Sequence, residues 1–178
     1  MASHSTSQLR TVERVTYTTE LPVAEVLSRL DRATNRDKGT YGQRVQNLSD
    51  RSREEAEGLV HDVVGDGFTF FFETNHTNWL RPLLGETMPE VHVYHIGNPL
   101  IARTLLQHDL IAGLYVPPKL FISGQSSPEG QPKGTAVIYD VPSSIIGTEG
   151  NEELKAATKI LDEKLEGLVK AITAVSVR

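Results

Sequence analysis

A chain of 178 residues, 38% hydrophobic and 23% charged, suits one soluble domain able to build a real core. Its net charge of −5 argues against a general binder of nucleic acid or anionic membrane, because either needs a basic face. The absence of cysteine excludes disulfides, a thiol nucleophile and thiolate ligation of zinc or iron–sulfur clusters.

Residues 1–10 are polar and read as a disordered tail ahead of a single domain over 11–178. The first residues lack the apolar stretch of a signal peptide, and no apolar run nears the ~20 residues of a membrane span. The expectation is a cytoplasmic protein without membrane or nucleic-acid partners. Val12 to Thr18, rich in β-branched residues, reads as a strand. Pro22 suits a helix start, and Val23, Val26, Leu27 and Leu30 then recur on one helical face. Residues 34–51 are polar and aperiodic and read as an insertion, with a lid or binding loop as alternatives.

Ser52 and Glu55 form a capping-box pattern. Ala56, Leu59, Val60, Val63 and Val64 follow at helical spacing, and Gly65 suits the stop. Gly67 to Glu73 is a strand that alternation would give Phe68, Phe70 and Phe72 on one face, with Phe71 on the other. Thr74 to Gly85 reads as a turn and short helix carrying Trp79, and Val91 to Ile96 as a strand ending on Gly97-Asn98-Pro99. A helix over Leu100 to His108 comes next, then a strand from Leu114 to Ser123 interrupted at Pro117-Pro118. Residues 124–134 form a hairpin loop and Thr135 to Val141 the returning strand. Glu149 to Val175 is a long amphipathic helix whose stripe is Leu154, Leu161, Leu165, Leu168, Val169 and Ile172. The class is α+β: a curved, largely antiparallel sheet with the C-terminal helix packed across it.

The chemistry-bearing residues cluster at strand ends. His76 follows the phenylalanine strand, where a neutral imidazole serves either as general acid/base or as a turn-capping group. His92 and His95 fall on opposite faces of their strand, so the two cannot hold one metal. Glu90, His92 and Tyr94 share one face, and Val91, Val93 and His95 the other. If the valines face the core, His95 does too. Asn98 fixes the turn into the next helix, whose start offers amides to an anion. Trp79, Tyr94 and Tyr115 either line an apolar pocket or simply fill the core. No nucleophile elbow, phosphate loop or metal constellation is present, and no cofactor is implied.

From Gly67 onward the motif order resembles the family called domain of unknown function 302. Gly67-Phe68 opens a strand and Asn75-His76 ends it. Ile96-Gly97-Asn98-Pro99 leads into the Leu105-Leu106-Gln107 helix. Ile111 to Pro117 precedes a strand, and Tyr139-Asp140-Val141-Pro142 closes the hairpin. The resemblance covers about residues 55–147. Asn75 stands where the family usually has an acid, and the segment 20–51 is additional to the compact core. The resemblance implies a fold like half of a TATA-binding protein, an architectural likeness without DNA binding. It also implies a homodimer, and it implies no reaction. The functional expectation is a dimeric domain that binds or senses a small apolar or aromatic molecule, with His95, Asn98, Tyr94 and Trp79 as ligand-binding candidates. The alternatives are a cofactor-independent isomerase, lyase or hydratase using His76 in a cavity between sheet and C-terminal helix, or an interaction module.

Overall fold

The computed structural model describes residues 3–127, 130–147 and 149–175. Five strands, β1 (Arg14–Thr19), β2 (Thr69–Asn75), β3 (Val91–Gly97), β4 (Lys119–Ser126) and β5 (Pro132–Asp140), form one curved, fully antiparallel open sheet in the order β1-β5-β4-β3-β2. Seven helices, α1 (Val23–Ala33), α2 (Tyr41–Arg44), α3 (Arg53–Val64), α4 (Thr77–Leu84), α5 (Pro99–Leu106), α6 (Pro142–Ile146) and α7 (Glu152–Thr173), complete the described structure with three short 3-10 turns. None of the described helices is long and apolar enough to cross a membrane.

One sheet face is covered. The stripe of α7 lies on it, with Leu154, Leu161, Leu165, Val169 and Ile172 all buried. Val26 and Leu30 of α1 are buried there too. The sheet answers with Phe68, Phe70, Tyr94, Ile96, Leu120, Ile122, Val137 and Tyr139. Each such side chain contributes about 1.5–3 kcal/mol by leaving water. The helix starts follow the capping rules. Ser52 accepts the Glu55 amide while Glu55 accepts the Ser52 amide, and Asn151 accepts the Leu154 amide at 2.9 Å. The α7 start therefore falls at Glu152, three residues after the position periodicity suggests.

Several boundaries differ from expectation. Residues 34–51 fold into short helical turns rather than an open loop. Thr40 and Gln43 make a capping box, Arg44 donates to Thr69 Oγ1 at 3.1 Å, and Val45 joins Val60 and Val64 in a second small core. The segment before β4 is a 3-10 turn over Leu110–Leu114, and pairing begins only at Lys119, past the prolines that cannot donate to the ladder. The hairpin strands run on to Ser126 and resume at Pro132, so the loop is shorter than 124–134. The short helix α6 carries no period long enough to read in advance. The expected tail at 1–10 has no regular structure over its described residues 3–10.

Two strand facings differ from the alternation reading, one because of a local bulge and the other because of partners distant in the chain. The register jumps between Phe70 and Phe72, so Phe71 is the extra residue of a bulge. Phe70 then pairs with Ile96 in the core, while Phe72 pairs with His95 on the other face. On β3 it is His92, Tyr94 and Ile96 that turn inward, and Val91, Val93 and His95 that lie on the open face. The histidine and tyrosine go in because their polar atoms meet charged partners there.

Candidate functional site

Those partners, Asp31, Arg36 and Glu73, form a five-residue polar network with His92 and Tyr94. Glu73 extends inward from β2 with its side chain 12% exposed. Its Oε1 lies 2.6 Å from His92 Nδ1 and its Oε2 accepts from Arg36 Nη2 at 2.6 Å. A carboxylate only accepts, so Nδ1 carries the proton. Arg36, in the turn after α1, also donates to the Tyr94 hydroxyl, and that hydroxyl donates to Asp31 Oδ1 at 2.9 Å. The guanidinium stacks over the Phe70 ring, 4.7 Å from its centroid. Burial, then the Asp31 hydrogen bond, hold the Tyr94 phenol far above its ordinary range. For Arg36, burial works against the charge, but Tyr94, Asp31 and Glu73 outweigh it and raise its pKa. His92 Nε2 is buried with no hydrogen-bond partner among the described residues. The bulge matters here, since without it Glu73 would point to the open face.

Tyr17 and Tyr41, like Tyr94 and Tyr139, have phenols raised mainly by burial, Tyr139 to about 12. A phenol whose folded pKa exceeds its unfolded value supports the fold at lower pH and loses that support as pH rises. The denaturant midpoint is therefore expected to hold up to the ordinary phenol value of 10.0 and to fall between there and about 12. Urea titrations across that window test it, and an unchanged midpoint would show the phenols to be free.

A cavity of about 560 Å³ lies elsewhere, at the Gly97 end of β3. Tyr41 and Phe71, stacked with centroids 4.9 Å apart, form one wall. Ile101, Ala102 and Leu106 of α5 form another, with Pro117, Pro118 and Leu161 completing it. Gly97 lines it for a steric reason: a Cβ there would sit 3.1 Å from both Phe71 and Pro117. The folded segment 34–51 thus supplies a wall of this cavity through Tyr41.

Of the candidate catalytic and ligand-binding residues His76, Trp79, Tyr94, His95 and Asn98, only Asn98 lines this cavity. Its amide is already committed. Oδ1 accepts the Leu100 and Ile101 amides, and Nδ2 donates to the Gly65 and Gly67 carbonyls at 3.2 and 2.8 Å. The helix start that offered amides to an anion is therefore capped by its own side chain. His76 is the N-cap position of α4 without making a capping bond, and its ring meets Trp79 edge-on at 5.7 Å. Trp79 is 51% exposed. His76 and Asn98 sit at opposite ends of the β2–β3 pair, about 20 Å apart at ~3.3 Å per residue. His95 stacks on Phe72 at 3.8 Å on the open face. Tyr94 is wholly buried in the charged network. Asp31, Arg36 and Glu73 were missed. Nothing local in the sequence marks a bulge or joins residues so far apart.

The open face itself is apolar along its middle. Val93, Phe121 and Ile138 are register partners in one row across β3, β4 and β5. The neighbouring row carries Phe72, His95 and Lys119, with Asp140 and Arg14 paired at 2.6 Å beyond. Leu114, 75% exposed, stands beside the apolar row.

A curved open sheet backed by one long helix is an architecture, and comparison with known proteins says whose. The family model described as Domain of unknown function DUF302 matches residues 46–172, well over half of the chain, so the chain belongs to this family. A crystal structure of an uncharacterised conserved DUF302 protein from Bacillus stearothermophilus superposes with a TM-score of 0.62 at 14% identity, covering 90% of this chain and 98% of that one. At that identity the likeness shows the fold. No curated protein matches the chain.

Proposed function

We propose that this protein is a dimeric binding protein for a small apolar or aromatic molecule. The observation that carries the reading is the cavity at the Gly97 end of the sheet, whose size falls within the usual range for ligand sites and whose walls are almost wholly apolar. Its aromatic wall suits flat or chain-like hydrocarbon. The lining favours binding over turnover, because its titratable side chains are Tyr41 and Arg103. A general acid or base must come within hydrogen-bond reach of the reacting atom. His76, the candidate for such a role, lies a strand's length away. The second part of the reading, a homodimer, is supported by the unpaired apolar row Val93–Phe121–Ile138, which two copies would cover by packing face to face.

The test is native mass spectrometry of protein from its own host, repeated on Ala102→Trp. Ala102 is half-buried on the cavity wall, so an indole there fills the space while the helix keeps a tolerated residue. The expected result is a co-purified molecule on the natural chain and its loss, at least tenfold in occupancy, on the variant. Equal occupancy in both would place the ligand elsewhere.

A further inference from the structure

The charge around the cavity is one-sided. No aspartate or glutamate lines it, and its one ionised side chain is Arg103. Arg103 follows Ala102 on α5 and lies one turn before Gln107, whose side-chain nitrogen also meets His108 Nε2 at 3.1 Å, so a guanidinium and a primary amide with one N–H to spare stand together on the exposed side of the wall. Arg103 is not fully spent. One Nη donates to Glu57 Oε1, which also accepts from Arg53 Nε at 2.7 Å. The Arg53 hydrogen bond first, and Arg103 with it, hold the Glu57 carboxyl below its ordinary range. Two guanidiniums on one carboxylate leave a net positive charge at the mouth. The rest of the Arg103 fork is available to an incoming acceptor.

We infer that the ligand is an apolar monoanion: a hydrocarbon or aromatic body held between Phe71, Leu106 and Pro117, ending in a carboxylate that meets Arg103 and Gln107. The inference rests on the binding reading above and narrows it. A planar carboxylate matches the guanidinium fork, and a single negative charge balances the single surplus charge at the mouth. A cationic ligand of the same body would meet that surplus as repulsion.

The test is titration calorimetry with two matched pairs, octanoate against octanol and naphthoate against naphthol, plus octylamine. The proteins are the natural chain, Arg103→Gln, Arg103→Lys and Ala102→Trp. In at least one pair the acid should bind roughly tenfold tighter than the alcohol, and octylamine should bind more weakly than either. Arg103→Gln should bring the acid down to the alcohol's affinity without changing the alcohol. Arg103→Lys should keep part of the difference, and Ala102→Trp should abolish binding of all. Equal binding of acid and alcohol to the natural chain, or an Arg103→Gln loss shared by both, overturns the inference and leaves the binding reading standing. No binding of any probe overturns both. Arg103 is about half-exposed and its variants are expected to fold normally, which thermal melts confirm independently.

Discussion

Glu73→Ala is expected to cost about 3–5 kcal/mol of stability, a large share of what a domain of this size possesses. Glu73 is the one anion that touches both His92 and Arg36, and its side chain is nearly buried. Removing it takes the only bonded acceptor from the His92 imidazole and one of the two carboxylate partners from the Arg36 guanidinium, inside the layer between α1 and the sheet. The imidazole then bears its lost solvation without an offset, while Asp31 still compensates part of the Arg36 charge. Arg36 is a third exposed, so it can swing toward water and hold the loss toward the lower figure. Glu57→Ala is the internal comparison. Glu57 also holds two arginines, but all three side chains are well exposed and screened by water, and the expected loss is a small fraction of that for Glu73→Ala. Guanidinium titrations of the two variants decide the matter: equal losses would mean the inner network is as solvated as the outer one. A Glu73→Leu, His92→Leu double variant should lose less than the sum of its single changes, because the partners act as a unit. The network is thereby a structural device that fixes how the turn after α1 sits on β2 and β3, and so where Tyr41 begins its wall of the cavity.

The legibility of this fold divides along a physical line. The α1, α3 and α7 stripes were readable because burial of one helical face writes a 3.6-residue period into the chain. The caps at Ser52 and Asn98 were readable because the donors they satisfy lie within three residues. What failed was the facing of side chains set by partners far apart in the chain. The inward turn of His92 and Tyr94 depends on Glu73, Arg36 and Asp31, and the position of Glu73 depends on the bulge at Phe71. A one-residue slip moves every later side chain to the opposite face, and a run of three phenylalanines gives alternation no contrast by which to register the slip. A cavity between the sheet and the C-terminal helix is the expectation; most of that space is packed with the α7 leucines, and α7 gives the observed opening only Leu161. The rest of its lining comes from where Gly97, the prolines before β4, α5 and the folded segment 34–51 meet. Such a meeting is a product of topology, and only Asn98 and its neighbours announced it.

On the proposed face-to-face dimer, Phe121→Glu is expected to weaken association by roughly 100-fold or more, equivalent to about 2.8 kcal/mol at 1.4 kcal/mol per decade. Phe121 lies at the centre of the apolar row, with Val93 on one side and Ile138 on the other. In a single copy the residue is half-exposed, and a glutamate there can reach water. Between two copies it would be a charge taken out of water and brought near its own symmetry mate. The control is Leu83→Glu, a 73% exposed residue on α4 that is not among those lining the apolar row, which should leave association unchanged. The same surface gives a pH dependence of definite sign. Burial first, then Lys119, lowers the pKa of His95 from 6.5. A histidine held neutral by its surroundings contributes stability above its unfolded pKa and loses it as pH falls through 6.5 toward the depressed value. Covering the face with a second copy removes more water from His95, and each protonation then adds a cation beside Lys119 of the same chain. Association should therefore weaken as pH falls below 6.5, and His95→Gln should flatten that dependence. Sedimentation equilibrium of the natural chain and the three variants across this range tests both statements. A monomer at every pH, or a Phe121→Glu chain that still pairs, would move the subunit contact off the open sheet face.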